Sequence, residues 1–166
     1  MAKLFDPLFM ENVMSNQLIN TPIGWLNVRA SGGAITAIEF AVDPELEQQP
    51  SETTAHCCRQ LAEYFNGQRE HFEVKLDMAG TDFQKTVWLA LGGIEYGETC
   101  SYGDIANHIG NPKAVRAVGA ANGKNPVPII VPCHRVIGRS GKLTGYAGGL
   151  DIKVWLLEHE KQHMAK

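Results

Sequence analysis

The sequence predicts an α+β protein with an N-terminal α/β domain over residues 1–80 and a mostly helical C-terminal domain over residues 81–166. Strand-favouring segments flank one helical pattern in the first half, which indicates a small antiparallel sheet. In the second half, capping residues precede short apolar-periodic segments, which indicates helices. The chain of 166 residues is long enough for two small domains, and 44% hydrophobic with 20% charged residues is a globular composition.

The N-terminal half carries the strand patterns. Residues 17–30 form a first strand-like segment that Thr21-Pro22 interrupts, and a turn at Ser31-Gly32-Gly33 joins it to a second strand over residues 34–42. The pair is predicted to be a hairpin. Apolar residues at helical spacing predict a helix over residues 52–65, and alternation predicts a third strand over residues 72–78.

The C-terminal half contains a helix-turn-helix pattern. Thr81-Asp82 is predicted to cap a helix that ends near Gly92-Gly93, and Ser101 to cap a second helix toward Ile109. Pro112 suits the first turn of the next helix, over residues 113–122. Two short helices joined by a glycine-containing turn are typical of a DNA-binding motif, which we expect here.

Two further segments complete the C-terminal half. Residues 125–132 contain three prolines, which exclude a long helix and predict an extended, rigid segment. Residues 150–163 are predicted to form a closing amphipathic helix.

The charge distribution favours a localised basic surface. The chain has a net charge of −3, yet residues 101–150 contain six basic residues and one acidic residue, Asp104. A local basic face matters more for DNA binding than the total charge, although chance clustering on a solvated face gives the same pattern. The basic residues are Lys113, Arg116, Lys124, Arg135, Arg139 and Lys142.

The remaining composition narrows the cellular setting. Residues 1–10 lack the apolar run of a signal peptide, and no segment approaches the length of a membrane span, so we expect an intracellular, cytoplasmic protein without a membrane partner. The four cysteines contain no Cys-x-x-Cys pair, which predicts reduced thiols and no metal site.

The densest chemical signal is the run Pro132-Cys133-His134-Arg135. A free thiol is only about 3% thiolate at pH 7, and a neighbouring base or cation raises that fraction. From these two residues alone, a buried cysteine beside an ordinary histidine is the more common explanation of the pair. Thiol hydrolases bring their histidine from elsewhere in the sequence, so adjacency is not their signature.

The surrounding sequence resembles the O6-alkylguanine-DNA alkyltransferases. The run NPVPIIVPCHRVI over residues 125–137 is similar to the active-site segment of that family, and further similar segments lie in matching order across the C-terminal half. They are YGET at 96–99, SY at 101–102, NPKAVRAVG at 111–119, GYAGGL at 145–150 and WLLEHE at 155–160. The resemblance implies a ribonuclease H-like N-terminal domain, and the N-terminal zinc ligands of some members are unmatched.

The resemblance also implies roles at the reacting thiol. Cys133 would accept the alkyl group, and His134 would take the thiol proton through a water molecule. Glu160 would orient and polarise His134, and Asn125 would hold the turn around the active site with its side-chain amide. The thioether product is stable, so the protein would act once per molecule and without a cofactor.

Binding roles follow from the same resemblance. The substrate would be a guanine flipped out of double-stranded DNA that is bound through its minor groove by a monomer. Tyr102 would bond the flipped base, the backbone around Val136 and Ala147 would recognise its edge, and Arg116 would fill the gap in the duplex. The other substrate-binding candidates are Tyr146 and Gly148, and the other DNA-binding candidates are Gln84, Gly103, Asn111, Ala117 and Arg139.

The composition of the second helix of the motif separates this interpretation from its rivals. Ala114, Ala117, Gly119, Ala120 and Ala121 present little bulk, which suits close approach to a narrow minor groove, although tight helix packing has the same requirement. A transcription regulator needs long polar side chains there. A protein that only binds the lesion needs no reactive cysteine, so the presence of Cys133 disfavours it. A thiol hydrolase would be recognised by repeated cleavage of ester or peptide substrates.

Overall fold

A computed structural model of the chain describes residues 13–164. Residues 1–10, for which the sequence predicts no signal peptide, lie outside this range. The described residues form two compact units that meet in the sequence between Ala79 and Gly80. The predicted α+β class is confirmed, with an antiparallel sheet in the first unit and mainly helices in the second. No helix within residues 13–164 has the length and apolar character needed to cross a bilayer.

Over residues 13–79, the N-terminal unit contains a three-stranded antiparallel sheet and one α-helix. Its elements are β1 (Met14–Thr21), β2 (Gly24–Ser31), β3 (Ala34–Glu39) and α1 (Glu52–Phe65), with strand order β1-β2-β3. The prediction of one strand over residues 17–30 is wrong, because Pro22 lies in a tight turn between two strands. Thr21 closes this turn: its Oγ1 donates to Gly24 O (2.7 Å) and accepts from Ile23 N (3.2 Å).

The third strand predicted over residues 72–78 is also wrong. One bridge joins Ile35 to Leu76, and the chain continues without a ladder. The side chain of Gln60 on α1 explains this, because its Oε1 accepts from Glu73 N (2.8 Å) and its Nε2 donates to Glu73 O (3.3 Å). A side-chain amide therefore satisfies backbone groups that a neighbouring strand would otherwise pair.

The C-terminal unit holds four α-helices within the described residues. They are α2 (Asp82–Leu91), α3 (Tyr102–His108), α4 (Val115–Gly123) and α5 (Leu150–His163), with a short parallel pair of β4 (Cys100–Ser101) and β5 (Val136–Ile137). Thr81 and Ser101 cap α2 and α3 as predicted. Helix α4 begins at Val115, two residues later than predicted, because Ala114 N donates to Asn111 O (3.0 Å) and closes a turn first.

The segment predicted to be extended, residues 125–132, is a tight turn instead. Ile129 has φ of 75°, and Val131 N donates to Val127 O (3.0 Å). A β-branched residue at positive φ is strained, so the surrounding contacts must hold it there. The turn reverses the chain directly before Cys133.

Helix α5 has the predicted bounds but not an apolar buried face. Its buried side chains are Lys153, Leu156, His159 and Glu160. Ionisable groups on the inner face of a helix require partners inside the fold. Those partners form the site described next.

Candidate active site

Cys133 begins a single turn of 3-10 helix, Cys133–Arg135, between the tight turn and β5. Its side chain is buried. Asn125 holds the preceding turn closed, because its Nδ2 donates to Val131 O (2.8 Å) and its Oδ1 accepts from Val127 N (2.9 Å). Asn122 Nδ2 donates to Cys133 O (3.4 Å) from the end of α4. Two amide side chains therefore fix the backbone that carries the thiol.

The carboxylate of Glu160 is surrounded by donors. Oε2 accepts from His134 Nε2 (2.6 Å) and Arg135 Nη2 (3.1 Å). Oε1 accepts from Arg135 Nε (2.8 Å) and Gly97 N (3.2 Å). These four bonds use the acceptor capacity of an ionised carboxylate, and Glu160 itself is 1% exposed. Hydrogen bonds from His134 and Arg135 hold its pKa well below the usual range, against the effect of burial.

The tautomer of His134 follows from this partner. A carboxylate only accepts, so Nε2 carries the hydrogen and Nδ1 is left as an acceptor. Nδ1 is buried and has no hydrogen-bond partner among residues 13–164. Burial lowers the pKa of His134, although Glu160 opposes the shift, and the imidazole is neutral at pH 7. His134, the residue after Cys133, therefore has a ring nitrogen that is able to accept a proton.

Burial raises the pKa of Cys133, which keeps the sulfur protonated at neutral pH. Four influences act against burial and lower this pKa: the side chains of Asn125 and Tyr146, a backbone N–H, and the charge of Lys153. The pKa of Tyr146 is raised well above its ordinary value by burial, so this phenol stays a donor to the sulfur. Cys133 therefore rests as a neutral thiol, and the surrounding groups stabilise the thiolate once the proton is removed.

Lys153 is the part of the site that the sequence analysis missed. It is fully buried on α5, and its Nζ donates to Val136 O (2.7 Å) and Thr144 O (3.3 Å). Burial lowers the pKa of the ammonium, while the negative charge of a Cys133 thiolate raises it. The spacing of Lys153, Leu156 and Glu160 on one helical face was the available signal, because it places opposite charges where apolar residues are expected.

Replacing Lys153 with methionine is expected to slow alkylation of Cys133 by iodoacetamide at pH 7 about tenfold, since a thiolate loses a nearby positive charge and the thiol pKa rises. Mass mapping of the Cys133 peptide over a range of pH measures this, without DNA. Lys161→Met, on the exposed face of α5, is the matched control. Equal pH profiles for Lys153→Met and wild type would show that Lys153 does not act on the sulfur.

A cleft of about 440 Å³ opens beside this cluster. Its lining includes Tyr102 from α3, Gly119 from α4, and Tyr146 and Ala147 from the loop before α5. Three of the predicted substrate-binding residues therefore meet here, and Gly148 follows in the same loop. A Cβ at Gly119 would sit 3.8 Å from Cδ1 of Tyr102, which is an ordinary contact distance, so the Tyr102 ring packs next to this position of α4.

The backbone groups of Val136 already make two hydrogen bonds within the protein. Its N–H donates to Cys133 O and its carbonyl accepts from Lys153. Val136 is fully buried and does not line this cleft, so its role in recognising a base edge stays a prediction.

The predicted DNA-binding residues fall into three groups: two line a second cleft, three are exposed on or just before α4, and one lies at the start of α2. A second cleft, of about 730 Å³, is lined by Gly103 and Arg139 together with Tyr102. Arg116 and Ala117 are exposed on α4, and Asn111 is exposed in the turn before it. Gln84 is not among the residues that line either cleft; its Oε1 accepts from Thr81 N (2.9 Å) in the capping box of α2.

The predicted basic surface loses one member. Arg135 is buried against Glu160, with its Nη1 donating to Ile94 O (2.7 Å) and its guanidinium over the Tyr96 ring at 5.6 Å. The other five basic residues of the 101–150 stretch are exposed. Five exposed basic side chains therefore remain, and the sixth, Arg135, pairs with Glu160 instead.

The C-terminal unit combines a helix-turn-helix with a buried cysteine, histidine and glutamate. This combination defines a class of DNA-binding proteins that use a cysteine thiol in a reaction. Family comparison makes this specific. Residues 14–78 match the 6-O-methylguanine DNA methyltransferase, ribonuclease-like domain, and residues 82–162 match the 6-O-methylguanine DNA methyltransferase, DNA binding domain. The chain belongs to the 6-O-methylguanine DNA methyltransferase family.

Individual relatives agree. The methylated-DNA–protein-cysteine methyltransferase of Mycobacterium tuberculosis is 51% identical over 151 residues, which span 86% of this chain and 90% of the relative. The protein of the same name from Methanosarcina acetivorans is 59% identical over 117 residues, 70% of this chain and 75% of the relative.

Solved structures extend the similarity to the fold. Mycobacterium tuberculosis OGT in complex with DNA has a TM-score of 0.82 and 49% identity, covering 89% of this chain and 93% of that chain. An O6-methylguanine DNA methyltransferase from Methanococcus jannaschii has a TM-score of 0.68 and 26% identity, covering 90% and 96%.

Proposed function

We propose that this protein repairs DNA directly by transferring the alkyl group of O6-alkylguanine, a methyl group above all, to its own Cys133. The observation that carries the proposal is the hydrogen bond of 2.6 Å between His134 Nε2 and Glu160, which leaves His134 Nδ1 as a base. Family membership supplies the substrate class. DNA binding and alkyl transfer are then functions of residues 81–166.

The reaction begins with the thiol proton. His134 Nδ1 accepts it through a water molecule, and the Nε2–H bond to Glu160 stabilises the imidazolium that forms. The thiolate attacks the alkyl carbon, so the S–C bond forms as the C–O6 bond breaks and its electron pair stays on guanine. Hydrogen bonds from Asn125 and Tyr146 and the charge of Lys153 favour the thiolate while it exists.

The base must leave the duplex before its O6 substituent can reach a buried sulfur. Flipping costs a few kcal/mol, and a lesion that weakens pairing lowers this cost. Arg116, exposed on α4, would occupy the vacated position, and the small exposed residues Ala117 and Ala120 allow α4 to approach the minor groove. Tyr102 in the cleft would donate to the flipped guanine as charge develops on it.

The cycle ends with a thioether that water does not hydrolyse, so each molecule acts once. We propose that the protein acts as a monomer and in the cytoplasm. Five exposed basic side chains in the 101–150 stretch support association with the phosphate backbone.

The test is to mix the protein with an excess of duplex DNA that carries O6-methylguanine and to map peptide masses. We expect one methyl group per protein molecule, on the peptide containing Cys133, with an equal amount of repaired guanine. An unmodified Cys133 despite tight lesion binding would identify a lesion-binding protein without chemistry. Repeated hydrolysis of ester or peptide substrates would identify a thiol hydrolase.

A further inference from the structure

One short hydrogen bond in the cleft has no part in the chemistry described above. The Tyr102 hydroxyl and Thr144 Oγ1 are 2.6 Å apart, close to the lower limit for an O–H···O bond. Both residues line the 440 Å³ cleft beside Cys133. Thr144 therefore contacts the side chain that is proposed to bond the flipped base.

The position of Thr144 is fixed from two sides. Its carbonyl accepts from the buried Lys153 Nζ (3.3 Å), and Tyr146, two residues further along, lines the same cleft and lowers the pKa of Cys133. A β-branched side chain on a backbone held in this way has few rotamers available. The hydroxyl is therefore presented to Tyr102 by a side chain of restricted rotamers on an anchored carbonyl.

Proton counting determines the direction of this bond when a base is present. A phenol has one hydrogen to donate, and Tyr102 uses it on guanine if the proposed function is right. Its oxygen then acts as an acceptor toward Thr144, so Thr144 Oγ1 must donate. We propose, on the basis of that function, that Thr144 is a positioning residue that donates its hydroxyl proton to Tyr102 and thereby strengthens Tyr102 as a donor to the departing guanine.

The effect is specific to the transfer step. As the C–O6 bond breaks, negative charge grows on guanine and the Tyr102 proton shifts toward the base, which leaves negative charge on the phenolic oxygen. A donor aimed at that oxygen stabilises the transition state more than the ground state. Binding of the DNA before transfer gains nothing from the same bond, because no negative charge has yet formed on the guanine or on Tyr102.

The experiment compares Thr144→Val, which removes the hydroxyl and keeps the shape, with Thr144→Ser, which keeps the hydroxyl. The rate constant for methyl transfer within the bound complex and the affinity for the same DNA are measured separately. We expect Thr144→Val to slow transfer about tenfold with affinity unchanged. This is the usual effect of losing one hydrogen bond to an oxygen that gains negative charge, here that of Tyr102. Thr144→Ser restores most of the rate. Thr53→Val, in the N-terminal unit, is the matched control and leaves the rate unchanged.

A double variant tests the link to Tyr102. In a Tyr102→Phe background, Thr144→Val is expected to have no further effect, because the oxygen to which Thr144 donates is gone. A full-size effect in that background, a loss of DNA affinity in place of rate, or failure of serine to rescue would each overturn the assignment of Thr144. If Cys133 of the wild-type protein is not methylated, the proposed function is wrong. If wild type is methylated and Thr144→Val reacts at the same rate, only the assignment of Thr144 is wrong.

Discussion

Cys133→Ser is expected to abolish methyl transfer from O6-methylguanine while retaining binding of the lesion-containing duplex. An alcohol is a much poorer nucleophile than a thiol, and His134 cannot compensate because the hydroxyl proton is far more tightly held. Serine fits the same buried space and can accept from Asn125 and Tyr146, so stability should change by no more than about 1–2 kcal/mol. Denaturing gels of methyl-labelled DNA with protein measure transfer, and a gel-shift assay measures binding.

The other cysteines explain why the effect should be confined to Cys133. Burial raises the pKa of Cys57 to about 12 and those of Cys58 and Cys100 to about 11. At none of these three does a neighbouring group act to lower the pKa. Cys133 is also buried, but the side chains of Asn125 and Tyr146 and the charge of Lys153 act to lower its pKa.

The matched control for this variant is Cys58→Ser. It makes the same chemical change at a buried thiol of the N-terminal unit and should leave transfer intact. Methyl transfer by Cys133→Ser at a rate near that of wild type would exclude Cys133 as the acceptor. Transfer lost equally in both variants would indicate unfolding and not chemistry, which circular dichroism would reveal.

Much of the helical part of the fold could be predicted from local sequence. Helix α5 and the caps at Thr81 and Ser101 depend on neighbouring residues, so their signals lie within a few positions. The turn at Ile129 could not be predicted in this way. Its positive φ is held by Asn125 and by pairing across the turn, whereas three prolines read in isolation indicate extension.

The site shows the same division. Cys133 and His134 are adjacent in sequence and attract attention, whereas the partners that set their chemistry come from distant positions. Arg135 and Lys153 look like solvated cations until the fold supplies Glu160 to the first and the carbonyl of Val136 to the second. Burial of a charge is a property of the whole fold, and single-residue patterns do not reveal it.

The second large effect is expected for Glu160→Gln, which should destabilise the fold by about 3–5 kcal/mol, the usual consequence of breaking a buried ion pair from one side. All four donors around the carboxylate need an acceptor. Glutamine supplies one oxygen and an amide that is itself a donor, so some of these donors lose their partner. Urea unfolding at pH 7 measures the loss, with Glu158→Gln on the exposed side of α5 as control.

The same change should slow methyl transfer at least 100-fold in protein that is still folded. Arg135 donates to both sides of residue 160, so the single oxygen of glutamine is expected to face Arg135 and its amide to face His134. An N–H pointing at Nε2 forces the hydrogen of His134 onto Nδ1, which removes the base. The equivalent tautomer error costs about 10⁴-fold in a serine protease triad.

Acid unfolding separates the charge of Glu160 from its shape. Its pKa in the folded protein lies well below the unfolded value of about 4.3, so the ionised carboxylate stabilises the fold above that pH and progressively less as the pH falls toward the folded pKa. The stability gap between wild type and Glu160→Gln should therefore narrow below about pH 4. A gap that stays constant down to pH 2 would mean that Glu160 contributes through packing, and normal transfer by the glutamine variant would mean that His134 does not depend on its carboxylate.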